Sequence, residues 1–229
     1  MTGPLAGYRM VLGSGDRRAY LVNAHEPSIV HLTSDLCRPG MHVLDIGAHV
    51  GYFSLLFSVR TGPTGLVTTL EPNPHNVAKV RAMAVANGLT NIAIHPLAAS
   101  DQDGSVEFLT EETGQMGHMV DASNPGQAGM VKVQAVRIDS LCADGRLGRV
   151  DLIKLDVEGA EVKALAGMAG LLQRDRPIVI CEWHPSVAGP DFAPTFARLG
   201  YQCELLEPAS ATTPFHLLAR PAGASRPSA

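Results

Sequence analysis

Apolar residues along this chain fall into short runs parted by polar turns, and the spacing inside the runs alternates between two periods. Met41 to Ile46 and Leu66 to Leu70 are short apolar runs of strand length, and Asn91 to Leu97 predicts a third strand. Between them, Tyr52 to Val59 fits a helix, and Asn73 to Asn87 carries Val77, Val80 and Ala84 on one stripe with Gly88 as its stop. Strands this apolar, alternating with helices, predict a parallel sheet covered on both faces. The alternation then breaks. Ser105 to Leu109 and Met130 to Ile138 read as strands around a long loop, Glu111 to Gly129, rich in Gly, Met and His. It resumes with a strand at Asp151 to Leu155, a helix over Ala160 to Leu172 and a strand at Pro177 to Trp183. A short helix over Asp191 to Leu199 and strands near Tyr201 to Leu206 and Phe215 to Ala219 follow. Ahead of all this, Tyr8 to Val22 reads as a hairpin about Gly13-Ser14-Gly15-Asp16, and a helix begins near Pro27 and stops at Arg38-Pro39-Gly40. The expected organisation is a hairpin-and-helix extension over 1–40, one α/β domain over 41–220 and a flexible tail over 221–229.

A chain of 229 residues suits a single decorated domain, and 45% hydrophobic with 17% charged residues is enough apolar material for a substantial core. A formal net charge of −4 without a long basic run disfavours an electrostatic nucleic-acid binder. Cys37, Cys142, Cys181 and Cys203 are scattered and form no CxxC pair, which reads as reduced thiols. Met1 to Gly7 lacks a signal-peptide pattern, and no apolar stretch has the length of a membrane span, so a soluble cytoplasmic protein is expected. Whether it forms a homodimer is left open.

The candidate chemistry begins at Val43-Leu44-Asp45-Ile46-Gly47-Ala48-His49-Val50-Gly51, with Glu71 closing the next strand. A glycine turn at a strand's carboxyl end lets the backbone approach a nucleotide, and an acid at the end of the second strand can accept from both ribose hydroxyls. The complete GxGxxG pattern is missing, and no basic residue sits at the turn for a pyrophosphate. Asp45 suits the positive amino end of methionine better than a dinucleotide's phosphates. These residues favour S-adenosylmethionine (SAM) over a nicotinamide cofactor, although Gly47 and Gly51 alone would fit many strand–helix turns.

The blocks, taken in order, resemble the FkbM-type SAM-dependent methyltransferases over roughly residues 40–207. Leu44 through Ser54 and Leu70-Glu71-Pro72-Asn73-Pro74 match motifs shared by many methyltransferases. Pro96-Leu97-Ala98-Ala99-Ser100-Asp101 and Arg137-Ile138-Asp139-Ser140-Leu141 follow in the same order. Val150 through Glu161, reading VDLIKLDVEGAE, is the piece most specific to the family. His49 departs from the asparagine usual there. The resemblance implies a Rossmann-like class I methyltransferase fold, with a mostly parallel seven-stranded sheet, helices on both faces and a C-terminal antiparallel hairpin. It also implies O-methylation of a sugar or specialised metabolite, and it suggests Leu97 and Ala98 beside the adenine. The cofactor residues expected are therefore Asp45, Gly47, His49, Gly51, Glu71, Leu97 and Ala98.

On the acceptor side, a hydroxyl must lose its proton as it is methylated, so acids and histidines at strand ends are of interest. By two-residue alternation Lys154 and Asp156 share a face, and so do Glu182 and His184, at the ends of strands expected to be neighbours, so four ionisable groups are expected to converge at one end of the sheet. Asp156, Glu158, Glu182 and His184 are the catalytic candidates. Asp156 could instead cap a helix, Lys154 could be a structural ion pair with Glu182 or Asp45, and Glu161 fits a structural role. Asp156, Glu182 and His184 could also hold Mg²⁺, Mn²⁺ or Zn²⁺, but nothing in their spacing requires a metal. The loop from Glu111 to Gly129 has the length of a substrate lid. The partner expected is a small hydroxylated acceptor. N-methylation, a non-catalytic SAM-binding subunit and a nicotinamide-dependent oxidoreductase are the alternatives.

Overall fold

The computed structural model describes residues 1–13, 20–22, 25–110, 117–119, 130–189 and 191–223. A 3-10 turn (Gly3–Leu5) and α1 (Pro27–Leu36) lead into β1 (His42–Ile46), α2 (Tyr52–Thr61), β2 (Leu66–Leu70), α3 (Pro74–Ala86) and β3 (Ile92–His95). Four strands follow: β4 (Ala98–Ala99), β5 (Gly104–Thr110), β6 (Gly117–Met119) and β7 (Met130–Val136). Then come α4 (Ile138–Ala143), β8 (Leu152–Leu155), α5 (Glu161–Gly167), α6 (Ala169–Asp175) and β9 (Ile178–Trp183). The described chain closes with α7 (Pro185–Ala188), α8 (Phe192–Arg198), β10 (Tyr201–Leu205) and β11 (Phe215–Pro221).

The main sheet has seven strands in the order β10-β11-β9-β8-β1-β2-β3. Pairings from β9 through β3 are parallel, and β11 runs against both of its neighbours. This is the α/β architecture expected, with its antiparallel hairpin at the C-terminal edge. Alternation along each strand feeds two cores. Leu44, Ile153, Val179, Cys181 and Leu217 pack against α5, α6 and α8 on one face. Val43, Val67, Leu152, Ile180 and Leu218 pack on the other against α1, α2 and α3. Leu5, Ile29 and Val30 belong to this second core, so the N-terminal extension covers a sheet face. No helix among the described residues is long and apolar enough to cross a membrane. All four cysteines are free, and Cys37 and Cys181 are buried.

Several expectations are corrected. Residues 8–13 and 20–22 contain no strand, so the described part of the Tyr8–Val22 segment is not a hairpin; 14–19 lie outside the described residues. Beside the seven-stranded sheet stands a second one, in the order β4-β7-β5-β6, which the pattern did not predict. The strand expected to reach Ile138 ends at Val136, and Ile138 opens α4. The single helix expected over Ala160 to Leu172 breaks at Met168 into α5 and α6. There Gly167 packs so tightly on the Ser100 carbonyl that a Cβ would overlap it. Pro221 still pairs with Tyr201 in the sheet, and 224–229 lie outside the described residues. Of the loop read as a lid, only 117–119 are described; their backbone forms β6 against β5.

Candidate active site

The carboxyl ends of the parallel strands open into a cavity of about 240 Å³. Register sets its floor. Asp45 pairs with Lys154 across β1 and β8, and His216 pairs with Glu182 across β11 and β9. Because Val43, Leu152, Ile180 and Leu218 face the α1–α2 side, alternation sends Asp45, Lys154, Glu182 and His216 to that same side. A row of ionisable groups thus crosses the sheet beneath α1 and α2.

One half of the cavity is formed by the β1 turn and the end of β2. Asp45 is fully buried; its Oδ2 accepts from Ser54 Oγ at 2.5 Å, and its Oδ1 is shielded with no hydrogen-bond partner. Burial raises its pKa, against the pull of the Lys154 charge. Gly47 has φ +80°, and a Cβ there would overlap the Asp156 carbonyl. The glycine is therefore required first by the contact between the ends of β1 and β8. His49 occupies the left-handed region at φ 51°, where Asn, Asp and His are the non-glycine residues most often found. Its N–H donates to Glu71 Oε2 at 2.7 Å, and Asn73 N–H donates to Glu71 Oε1 at 2.9 Å. Burial pushes Glu71 up to about 7 in spite of these donors. Leu97 and Ala98 also line the cavity. Gly51 does not: its φ of +85° starts α2, and its α-carbon faces Val80 and Met83 of α3.

The other half carries charge. Lys154 is buried, with Nζ 3.0 Å from Asp156 Oδ2 and 4.7 Å from the Phe53 ring centroid. Burial would lower its pKa, but the surrounding carboxylates of Asp156, Glu26, Asp45 and Glu182 keep it protonated. Burial would likewise raise Asp156, but Lys154 and His184 outweigh it and hold this acid ionised. Glu182 is pushed up to about 8 by burial, with the Asp156 charge adding to the effect.

Asp156, Glu158 and Glu182 all line the cavity, but His184 does not. β9 ends at Trp183, so the alternation that paired Glu182 with His184 stops one residue short, and His184 stands at the N-cap position of α7 instead, its side chain turned to other partners. Its Nδ1 lies 2.8 Å from Glu161 Oε1 and its Nε2 3.2 Å from Glu158 Oε2. Burial opposes its charge, but these two carboxylates raise its pKa to about 10. A cation engaged at both nitrogens is not placed to take a proton. The three residues read as a metal set are also divided. Asp156 and His184 cluster with Glu158, and Glu182 clusters with Glu26 and His216.

Sequence reasoning missed Glu26, His216, Tyr20 and His25. Tyr20, His25 and Glu26 make the N-terminal segment a wall of the cavity. His216 was readable in principle, since it shares strand parity with Leu218.

The family model described as "Methyltransferase FkbM domain" matches residues 45–203. The 31-O-demethyl-FK506 methyltransferase FkbM of Streptomyces tacrolimicus is 26% identical over 185 residues, covering 64% of this chain and 70% of that protein. The 2-O-methyltransferase NoeI of Sinorhizobium fredii is 26% identical over 159 residues, covering 63% of this chain and 64% of NoeI. This match thus spans under two thirds of NoeI's length. The crystal structure of methyltransferase FkbM from Methylobacillus flagellatus superposes with a TM-score of 0.55 at 17% identity, over 86% of this chain and 51% of that one. The match to the family model covers more than half of the sequence, and the chain belongs to the FkbM methyltransferase family.

Proposed function

We propose that this protein is a SAM-dependent O-methyltransferase acting on a hydroxyl of a small sugar-like or specialised metabolite. The observation that carries the reading is the buried, unpartnered Oδ1 of Asp45 in the same cavity as Glu71, Asp156 and Glu182. An orphaned carboxylate oxygen calls for a donor, and the ammonium of a methionine moiety is one. Glu71 can still accept from ribose hydroxyls, because each carboxylate oxygen has a second lone pair beyond its backbone donor. The fit to SAM is therefore good on both ends, and when bound SAM supplies the methyl group as a sulfonium.

The chain's own part is to orient the acceptor and remove its proton. Asp156 is the acid we assign to proton removal. It is ionised, is fixed by Lys154 at 3.0 Å, and follows the strand whose end packs on the Gly47 turn. Alignment and a placed base are the main contributions a protein makes to such a displacement. A hydroxyl acceptor agrees with the names of FkbM and NoeI, both O-methyltransferases.

The test is calorimetric titration with S-adenosylhomocysteine (SAH), with NADH in parallel. SAH is expected to saturate one site, and Glu71→Ala to weaken it about 100-fold, from loss of charged hydrogen bonds. NADH binding with no SAH binding would overturn the reading. Because Glu71 titrates near 7 and accepts best when ionised, SAH binding by the natural chain should tighten as pH rises from 6 to 8. A Glu71→Gln chain should lose that trend.

A further inference from the structure

The row of ionisable groups contains an arrangement that proton removal by Asp156 does not use. Glu26 stands at the N-cap of α1 with φ 42° and ψ 58°, a left-handed conformation uncommon for glutamate. That backbone is the entry to the helix, and the side chain it carries lines the cavity. Glu182 reaches the same wall from β9, and His216 lies directly opposite it on β11.

The ligand-type atoms of these three residues all lie within 4.8 Å of one another. His216 Nε2 is 3.3 Å from Glu26 Oε2 and 3.7 Å from Glu182 Oε2. His216 is only 7% exposed, and neither its Nε2 nor Glu26 Oε2 has an aligned hydrogen-bond partner or access to water. The spacing is wide for a charge-assisted N–H···O bond, which closes to about 2.7–2.9 Å. It is natural around a metal: ligands about 2.1 Å from a shared ion, at tetrahedral angles, stand about 3.4 Å apart. The other imidazole nitrogen is already committed. Nδ1 lies 2.8 Å from Glu207 Oε1, which also accepts the His216 backbone N–H at 2.6 Å. A carboxylate on one ring nitrogen fixes the tautomer and turns the lone pair of the other outward, the usual support of a metal-binding histidine. A proton on Nε2 would pair with these two carboxylates; without it the lone pair points between them, where a divalent cation can take the proton's place.

We propose that Glu26, Glu182 and His216 form a divalent-metal site on the acceptor wall of the cavity. One imidazole and two carboxylates suit Mn²⁺, Fe²⁺ or Zn²⁺ better than Mg²⁺ or Ca²⁺, which favour all-oxygen sets. Three protein ligands leave coordination positions open, and the cavity side is where Glu26 and Glu182 are reached. Those positions fit two neighbouring oxygens of a polyhydroxylated acceptor, whose hydroxyl would become more acidic on the metal. This assignment of the acceptor rests on the methyltransferase reading; the metal site itself does not.

The experiment is titration of the metal-stripped 229-residue chain with Mn²⁺, without SAH or acceptor, following loss of the free-ion electron paramagnetic resonance signal. One Mn²⁺ per chain is expected. Glu26→Gln and Glu182→Gln, which preserve side-chain size, should each weaken it at least 10-fold, and His216→Ala should do the same. Glu158→Gln, in the neighbouring cluster of Asp156, Glu158 and His184, should leave binding unchanged. Absence of Mn²⁺ binding, equal binding in all the variants, or loss confined to Glu158→Gln would each overturn the site. SAH titration of the same preparations separates the two ideas. SAH binding without Mn²⁺ binding removes only the metal site, and Mn²⁺ binding without SAH binding removes only the methyltransferase reading.

Discussion

Gly47→Ala is expected to cost more than about 4 kcal/mol, enough to leave little folded protein at 25 °C. Two effects add. The residue sits at φ +80°, where an alanine loses roughly 1–2 kcal/mol. The greater cost comes from overlap of the new Cβ with the Asp156 carbonyl, a backbone atom that cannot turn aside. Relief would require β1 and β8 to part at their carboxyl ends, where Asp156 N–H donates to Ile46 carbonyl at 3.0 Å. Gly51→Ala is the control. It has a similar φ of +85°, but its Cβ would meet the Val80 and Met83 side chains at 3.0 and 3.1 Å, and these can shift. It should cost about 1–3 kcal/mol. Urea unfolding of both chains decides the matter: equal losses would mean that the strand-end contact is not what demands glycine at position 47.

The second large effect is expected at His184. Glu161 is fully buried; its Oε1 accepts from Gly159 N–H at 3.0 Å and faces His184, while its Oε2 has no hydrogen-bond partner. His184→Leu removes the cation and strands this carboxylate in the interior. Breaking a buried pair from one side typically costs about 3–5 kcal/mol, because the remaining charge is uncompensated. Adding Glu161→Gln should restore about half or more of the loss, since a neutral amide can be buried more cheaply. Denaturant unfolding of the two single variants and the double variant gives the coupling directly. Losses that simply add would show that His184 and Glu161 do not stabilise one another.

How far these residues could be read from the chain depended on the distance over which structure acts. Asp45, Gly47 and Glu71 were legible because each stands at the end of an apolar run, and strand ends in a parallel sheet converge on one edge. Lys154 and Asp156 followed from the same alternation. His184 did not, because a period of two holds only while the strand lasts, and β9 stops at Trp183. The meeting of Glu26 with His216 was hidden for another reason. They meet only because β11 inserts beside β9 and α1 folds over the sheet, pairings that no local period encodes. The second sheet was hidden by scale: β4 has two residues and β6 three, too few to display a period. The break at Met168 falls beside the contact of Gly167 with Ser100, residues far apart along the chain.

The place of β11 in the sheet bears on how the molecule is made. It lies between β9 and β10, although it is the last of the three to be synthesised. Until Phe215–Pro221 leaves the ribosome, Ile178–Trp183 has an unpaired edge, and the apolar faces meant for Leu217 and Leu218 stay open to water. Any chain that lacks β11 can assemble its five parallel strands but holds that edge bare. A released chain ending at residue 214 should therefore stick to its neighbours, and only the final strand converts it into a molecule with a closed flank.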